Sequence, residues 1–293
     1  MTDFSRCYQN YVSEFETYLQ KYLDTLHTDP AILGESIAYS LTAGGKRIRP
    51  VLALACADVV GLSHEEILPF ALAIEMIHTY SLIHDDLPAM DNDDYRRGQP
   101  TSHVKFGEAN AILAGDALLN EAYNVCFNEC LKGERQVLAS QYICECAGMR
   151  GMIAGQSADL LFEKNNTTAT EDDLGYIYEY KTGKLLLAPI MAACILAQDK
   201  RTFAFERFGK QLGILFQMTD DILDVIGDFD KLGKTLGKDA ENEKLTCVKL
   251  YGLENAKIRT ELCAKQCHTL LEGVDGDVWF LRELIDYVLK RCN

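Results

Sequence analysis

The chain has 293 residues, 48% of them hydrophobic, and a formal charge of −15 from 44 acidic against 29 basic side chains. That much apolar material supports one large core, read as a single domain over residues 1–293. The negative excess repels nucleic acid and anionic lipid, so neither is expected as a partner. The opening Met1-Thr2-Asp3-Phe4-Ser5-Arg6 lacks the basic segment and apolar run of a secretory signal. No stretch approaches the roughly 20 apolar residues that span a bilayer, so a cytoplasmic protein without membrane insertion is expected. The 11 cysteines are odd in number and scattered through helical patterns, which argues against a disulfide framework. Cys126/Cys130 and Cys263/Cys267, the latter beside His268, have a spacing that fits a metal site, but packed thiols are the expected reading.

In chain order, Phe4, Tyr8, Val12, Phe15, Leu19, Tyr22 and Leu26 recur at steps of three and four and predict an amphipathic helix. Gly44-Gly45-Lys46-Arg47-Ile48-Arg49-Pro50 follows a flexible Gly pair with three cations near a helix start, a pattern suited to a phosphate-like anion, with Lys46 and Arg49 on one face. Ser63-His64-Glu65-Glu66 and Thr170-Glu171-Asp172-Asp173 have the spacing of capping boxes. Asn92–Lys105 and Phe229–Thr246, rich in charge and Gly, read as loops that bind or close. With no period-two alternation bounded by hairpin turns, the fold class is all-α, a bundle of about ten or more helices.

Two helices carry carboxylates where core is expected. The apolar helix through Ala71–Ile77 ends in His84-Asp85-Asp86-Leu87-Pro88-Ala89-Met90-Asp91, and the helix Phe205–Ile226 is interrupted by Gln217, Asp220, Asp221 and Asp224 on one face. Buried carboxylates must be protonated, paired or bound to cations, and bases within a turn are too few to pair them all. Hard oxygens with room for phosphate and water suit Mg²⁺. Further cations at Arg96, Arg97, Lys181, Lys184, Lys234, Lys238 and Lys244 point to a polyanionic substrate bridged to the metals.

Taken in order, Gly44–Pro50, Asp85–Asp91 with Arg96-Arg97-Gly98, Gly155-Gln156, Lys181-Thr182-Gly183, Phe216-Gln217 with Asp220–Asp224, and Gly233-Lys234 resemble the trans-type polyprenyl diphosphate synthases over nearly the whole chain. The likeness is greatest to bacterial farnesyl diphosphate synthases. It implies helices around a central cleft and a homodimer. It also implies three Mg²⁺ per site once the allylic substrate is bound, held by Asp85, Asp91 and Asp220, with Asp86, Asp221 and Asp224 assisting. Arg96, Lys181 and Lys234 would hold the allylic diphosphate, and Lys46, Arg49, His78 and Arg97 that of isopentenyl diphosphate. Thr182 and Gln217 would stabilise the allylic cation, and a helix interrupted at Thr182-Gly183 would turn a carbonyl inwards. The family commonly has Tyr where this chain has Cys247.

Tyr80 and Ser81, five and four residues before Asp85, fall about one turn below the metals, where a growing hydrocarbon would pass. A bulky Tyr there is similar to family members that stop at fifteen carbons, so farnesyl diphosphate is the expected product and geranylgeranyl diphosphate the alternative. A terpene cyclase would need no second diphosphate site, and a His-Asp phosphohydrolase leaves the basic motifs unexplained. A non-catalytic partner subunit is expected to lose aspartates that this chain keeps.

Overall fold

The computed structural model describes residues 2–164, 169–227 and 244–292. Its first element, α1 (Asp3–Thr25), is started by the Thr2 hydroxyl, which accepts from Ser5 N. Phe4, Tyr8, Phe15 and Leu19 are buried as the periodicity predicts, and Tyr11 joins them. Phe4 and Tyr8 stack on Phe280 and meet Tyr287 at a tilt, which packs the helix Trp279–Leu289 against the first helix. Next come α2 (Ala31–Thr42), α3 (Ile48–Val60) and α4 (His64–Asp85). Ser63 does not complete its capping box: its hydroxyl donates to Glu66 rather than taking a backbone N–H. Thr170 does complete one, with Asp173.

Asn92–Lys105 is not the plain loop expected. Tyr95–Arg96 (β1) and Gln99–Pro100 (β2) form a two-stranded antiparallel hairpin, followed by α5 (Ser102–Phe106). Its turn residues Arg97 and Gly98 both have positive φ, 55° and 75°, the geometry that matches strand twist and that Gly supplies at no steric cost. The chain continues through α6 (Glu108–Cys130), α7 (Glu134–Ala147) and α8 (Met152–Lys164). A composite helix follows: α9 (Glu171–Ile177), a π-helical turn (Tyr178–Gly183) and α10 (Lys184–Ala197). Then come α11 (Thr202–Ile226), α12 (Cys247–Tyr251), α13 (Leu253–Glu272) and α14 (Trp279–Leu289). Of the predicted loop Phe229–Thr246 only Lys244–Thr246 lies within the described residues, and it is non-helical.

The centre of the molecule is α4 and α10, apolar on nearly every side because each is surrounded by α3, α6, α7 or α11. The α4 helix and the composite helix Glu171–Ala197 are long and apolar enough to cross a membrane, contrary to the reading of the sequence, but 78% and 72% of their most apolar stretches are buried inside the protein. The cysteines with described side chains are free thiols. Among the described residues no His, Cys or carboxylate group forms a preassembled metal cage, and His268 pairs with Asp286 at 2.9 Å.

Candidate active site

Carboxylates gather where α4 ends, and helix geometry brings the other motifs to them. Asp85 is the last residue of α4 and Asp86 its cap, at the helix end whose dipole disfavours negative charge, so both need compensation. The segment after Asp86 folds back, with Asp91 N donating to Asp85 O at 2.9 Å and Asp93 N to Asp86 O at 3.1 Å, so the residues between the paired aspartates and Asp91 form the return loop. Asp91 takes Lys244 Nζ at 2.7 Å, which joins the first acidic motif to a lysine 153 positions away. Burial pushes the Asp91 carboxyl up, but Lys244, Lys181 and Arg96 outweigh it and hold it below its ordinary range.

Helix α8 supplies a wall that sequence reasoning missed beyond its Gly155-Gln156. Gln156 Nε2 donates to Asp85 Oδ1 at 2.6 Å, and Lys181 Nζ lies 2.5 Å from Asp159, which is 4% exposed. Glu163, one turn on, sits 3.7 Å from Lys244. Gln156, Asp159 and Glu163 follow the spacing of one helix face, and that spacing was the signal available in the sequence. Close approach of α8 to the π turn requires Gly155, since a Cβ there would collide with the Lys181 backbone. Gly213 of α11 meets Gly183 in the same way.

The π turn at Tyr178–Gly183 is the interruption expected near Thr182-Gly183, and its extra residue offsets carbonyls from the α ladder. Thr182 donates its hydroxyl to Gln217 Oε1 at 2.6 Å, and Gln217 Nε2 reaches Asp221 Oδ1 at 2.9 Å. Asp221 is not turned to the cleft with Asp220. It is 2% exposed, receives the Tyr178 hydroxyl, and takes Cys247 N at 2.8 Å. Asp221 therefore positions Gln217, and Cys247, which is buried, contributes its backbone N–H. Asp224 is also buried. Asp220 stays partly open and pairs with Arg291 at 2.6 Å, a terminal residue that no motif in the sequence marked.

The basic motif separates by role. Arg47 caps α3 in the left-handed region and is buried, with its guanidinium on Glu16 at 2.6 Å, Glu75 at 2.8 Å and Leu41 O at 2.6 Å. It holds α1, α3 and α4 together. Lys46 precedes the helix and is exposed, so it does not share a helical face with Arg49; the Tyr8 hydroxyl donates to Lys46 O. Arg49 is buried with its Nε lacking a hydrogen-bond partner, and burial pulls its pKa down to about 10. Burial and the guanidiniums of Arg49, Arg97, Arg96 and Arg47 keep His78 well below the ordinary imidazole range. Arg97 donates to Gly44 O, and its guanidinium occupies the space a side chain at Gly45 would need. Arg96 chelates Asp86, with Nε 2.9 Å from both oxygens; burial pushes that carboxyl up to about 6, which the pairing only partly offsets.

Two cavities meet here. One, about 370 Å³, is walled by Lys46, Arg49, Arg96, Arg97, Gln217 and Asp220. The other, about 520 Å³, runs from Asp85 and Lys181 past Tyr80 and Ser81 to Leu119 and Ile153. Arg49, His78 and Thr182 border both. Lys234 and Lys238 lie outside the described residues, and Lys184 points to Glu179 at 3.6 Å.

A helical bundle with facing aspartate motifs, a cationic pocket and an apolar channel defines a class of diphosphate-handling enzyme. The polyprenyl synthetase family profile matches residues 30–272, and the chain belongs to that family. It is 44% identical to the farnesyl diphosphate synthase of Micrococcus luteus over 278 residues, 94% of each chain. It is 40% identical to the geranylgeranyl diphosphate synthase of Cyanophora paradoxa over 269 residues, 90% of this chain and 89% of that one. Among solved structures, a geranyltransferase from Helicobacter pylori complexed with magnesium and isoprenyl diphosphate superposes with TM-score 0.85 at 31% identity, covering 99% of this chain and 97% of that one.

Proposed function

We propose that this chain is a prenyltransferase that condenses isopentenyl diphosphate with dimethylallyl and then geranyl diphosphate to give farnesyl diphosphate. The observation that carries the reading is the junction of an anion pocket and an apolar channel at Arg49, His78 and Thr182, with carboxylates at the channel mouth. Such a junction sets a nucleophilic alkene against an allylic carbon.

The residues fit Mg²⁺. Asp91 Oδ1 and Glu163 Oε1 are buried without a hydrogen-bond partner, and Asp85 and Asp220 offer further hard oxygens. The lack of a preassembled cage among the described residues suits an ion that takes a few carboxylates together with water and phosphate oxygens. Asp85, Asp91 and Asp220 would hold it, with Asp86 and Asp224 in support, and three ions per site are proposed with the allylic substrate bound. When bound, Mg²⁺ neutralises charge that builds on the leaving diphosphate.

Lys181, Arg96 and Lys234 hold the allylic diphosphate as its bond to the allylic carbon breaks. In doing so Lys181 and Arg96 exchange Asp159 and Asp86 for phosphate oxygens. Thr182 and Gln217, fixed by Asp221, present oxygens beside the resulting cation, in a channel whose apolar walls exclude water. Lys46, Arg49, His78 and Arg97 hold isopentenyl diphosphate while its terminal alkene carbon forms the new bond to that carbon. A proton then leaves the adjacent carbon to the released diphosphate, since His78, ringed by guanidiniums, is a poor proton acceptor.

Tyr80 and Ser81 set chain length. A single domain, a homodimer and a cytoplasmic location without membrane insertion complete the proposal. For the dimer, Leu113 and Phe127 of α6 and its C-cap residue Leu131 are exposed large apolar side chains that a second copy would cover. Incubation with labelled isopentenyl diphosphate, dimethylallyl or geranyl diphosphate and Mg²⁺, followed by dephosphorylation and sizing, tests the reading. A fifteen-carbon alcohol that disappears with EDTA is expected, and no condensation would reject it in favour of a non-catalytic subunit. Sedimentation at several concentrations tests the dimer.

A further inference from the structure

A cavity of about 310 Å³ lies behind the catalytic cleft, on another face of α11. Ile214 and Met218 of α11 line it together with Leu174 and Leu262, whereas Gln217 and Asp220 of the same helix face the cleft. At one end Arg259 donates to Glu171 at 2.9 Å and lies 3.9 Å over the Tyr251 ring. At the other, the Gln211 amide donates to Gln266 and to the Cys263 sulfur, both at 2.9 Å.

We propose that this cavity binds a small amphipathic monocarboxylate and that its occupancy is transmitted to Thr182. The head group follows from the mouth. Arg259 and Glu171 are 46% and 63% exposed, so their pairing contributes little and a ligand carboxylate replaces Glu171 at small cost. The guanidinium, 3.9 Å over the Tyr251 ring, offers its fork for two parallel hydrogen bonds once Glu171 is displaced. A diphosphate does not suit it, because Arg259 is the only cation among the described lining residues. The tail follows from the volume, which at about 27 Å³ per methylene takes a chain of about ten carbons against Leu174, Ile214, Met218 and Leu262.

The route to the cleft is a single chain of hydrogen bonds that starts at Tyr178. Tyr178 forms part of the cavity wall and begins the π turn. Its hydroxyl donates to Asp221, which receives Gln217, which in turn receives Thr182. A tail pressed against the Tyr178 ring displaces this chain at the residue set beside the allylic cation. This half of the proposal rests on the catalytic reading above; the binding half does not.

Decanoate is the probe. Calorimetric titration of the wild type should show one site, weakened about tenfold or more, roughly 1.4 kcal/mol, in Arg259→Met and in Leu262→Trp. Leu262 is half-exposed, so a Trp there fills the cavity from its rim without entering the core. Steady-state turnover should change with decanoate at saturating substrate in the wild type, and Tyr178→Phe should bind decanoate but lose that response. Equal affinity for wild type and both cavity variants would place decanoate in the catalytic channel and overturn the site. Binding with no change in kcat would overturn the coupling. An enzyme that condenses nothing would refute the catalytic reading, while titration still decides the site.

Discussion

Replacing Tyr80 by Ala should lengthen the product by one isoprene unit. Tyr80 is 6% exposed, sits on α4 five residues before Asp85, and packs edge-on to His84 with ring centroids 5.7 Å apart. At 1.5 Å per residue its Cα is about 7.5 Å below that of Asp85, on the side of the apolar channel. The channel holds about 520 Å³. At about 27 Å³ per carbon, close-packed, a fifteen-carbon chain needs roughly 400 Å³ and a twenty-carbon chain roughly 540 Å³, before any share for the diphosphate. The first leaves about 120 Å³ for the diphosphate, and the second leaves none. Tyr→Ala removes about 100 Å³, roughly three-quarters of a five-carbon unit at the same density, so the balance tips to twenty carbons. The assay is the product-sizing experiment, run on wild type, Tyr80→Ala and Tyr80→Phe. Phe keeps the volume and should keep the fifteen-carbon product, whereas polarity as the determinant would make Phe behave like Ala. An Ala variant that still stops at fifteen carbons would refute the volume argument.

Asp85→Ala and Asp220→Ala should each abolish detectable turnover with an unchanged thermal transition, because Asp85 meets Gln156 and Asp220 meets Arg291 at partly open positions; turnover within about tenfold of wild type would remove them from metal binding. Arg47→Ala should cost about 3–5 kcal/mol in urea unfolding, since it leaves Glu75 buried at 2% exposure without its cation; a loss under about 1 kcal/mol would show that the pair does not hold α3 to α4. His78 is held well below its ordinary pKa in the fold, so below the unfolded value, about 6.5, the unfolded chain binds the extra proton. Stability is therefore full above that pH and falls as pH drops, by up to about 1.4 kcal/mol per unit for this one group. His78→Gln should flatten that limb between pH 6.5 and 5 relative to wild type, and parallel curves would contradict the burial argument.

Helical class, the two aspartate motifs and the order of the basic motifs were legible in the sequence because each is local. Apolar spacing states which face is buried, and a carboxylate inside an apolar helix is anomalous wherever the helix goes. The interruption at Thr182-Gly183 was expected only from the family resemblance, and the π turn at Tyr178–Gly183 is where it falls. Tertiary structure decided which polar residues face substrate. Arg47 and Arg49 are two positions apart, yet one is consumed by Glu16 and Glu75 while the other keeps an unpaired donor. Asp220 and Asp221 are neighbours, yet one opens to the cleft and the other is sealed by Tyr178 and Cys247. Arg291 enters the site from a segment that no motif marks, and Asp159 and Glu163 enter from α8, where only their spacing with Gln156 on one helix face hints at a role. The physical reason is that a charge's role is set by its partners, and partners such as Asp159 for Lys181 and Asp91 for Lys244 lie 22 and 153 residues away along the chain, brought together only by packing around α4 and α10.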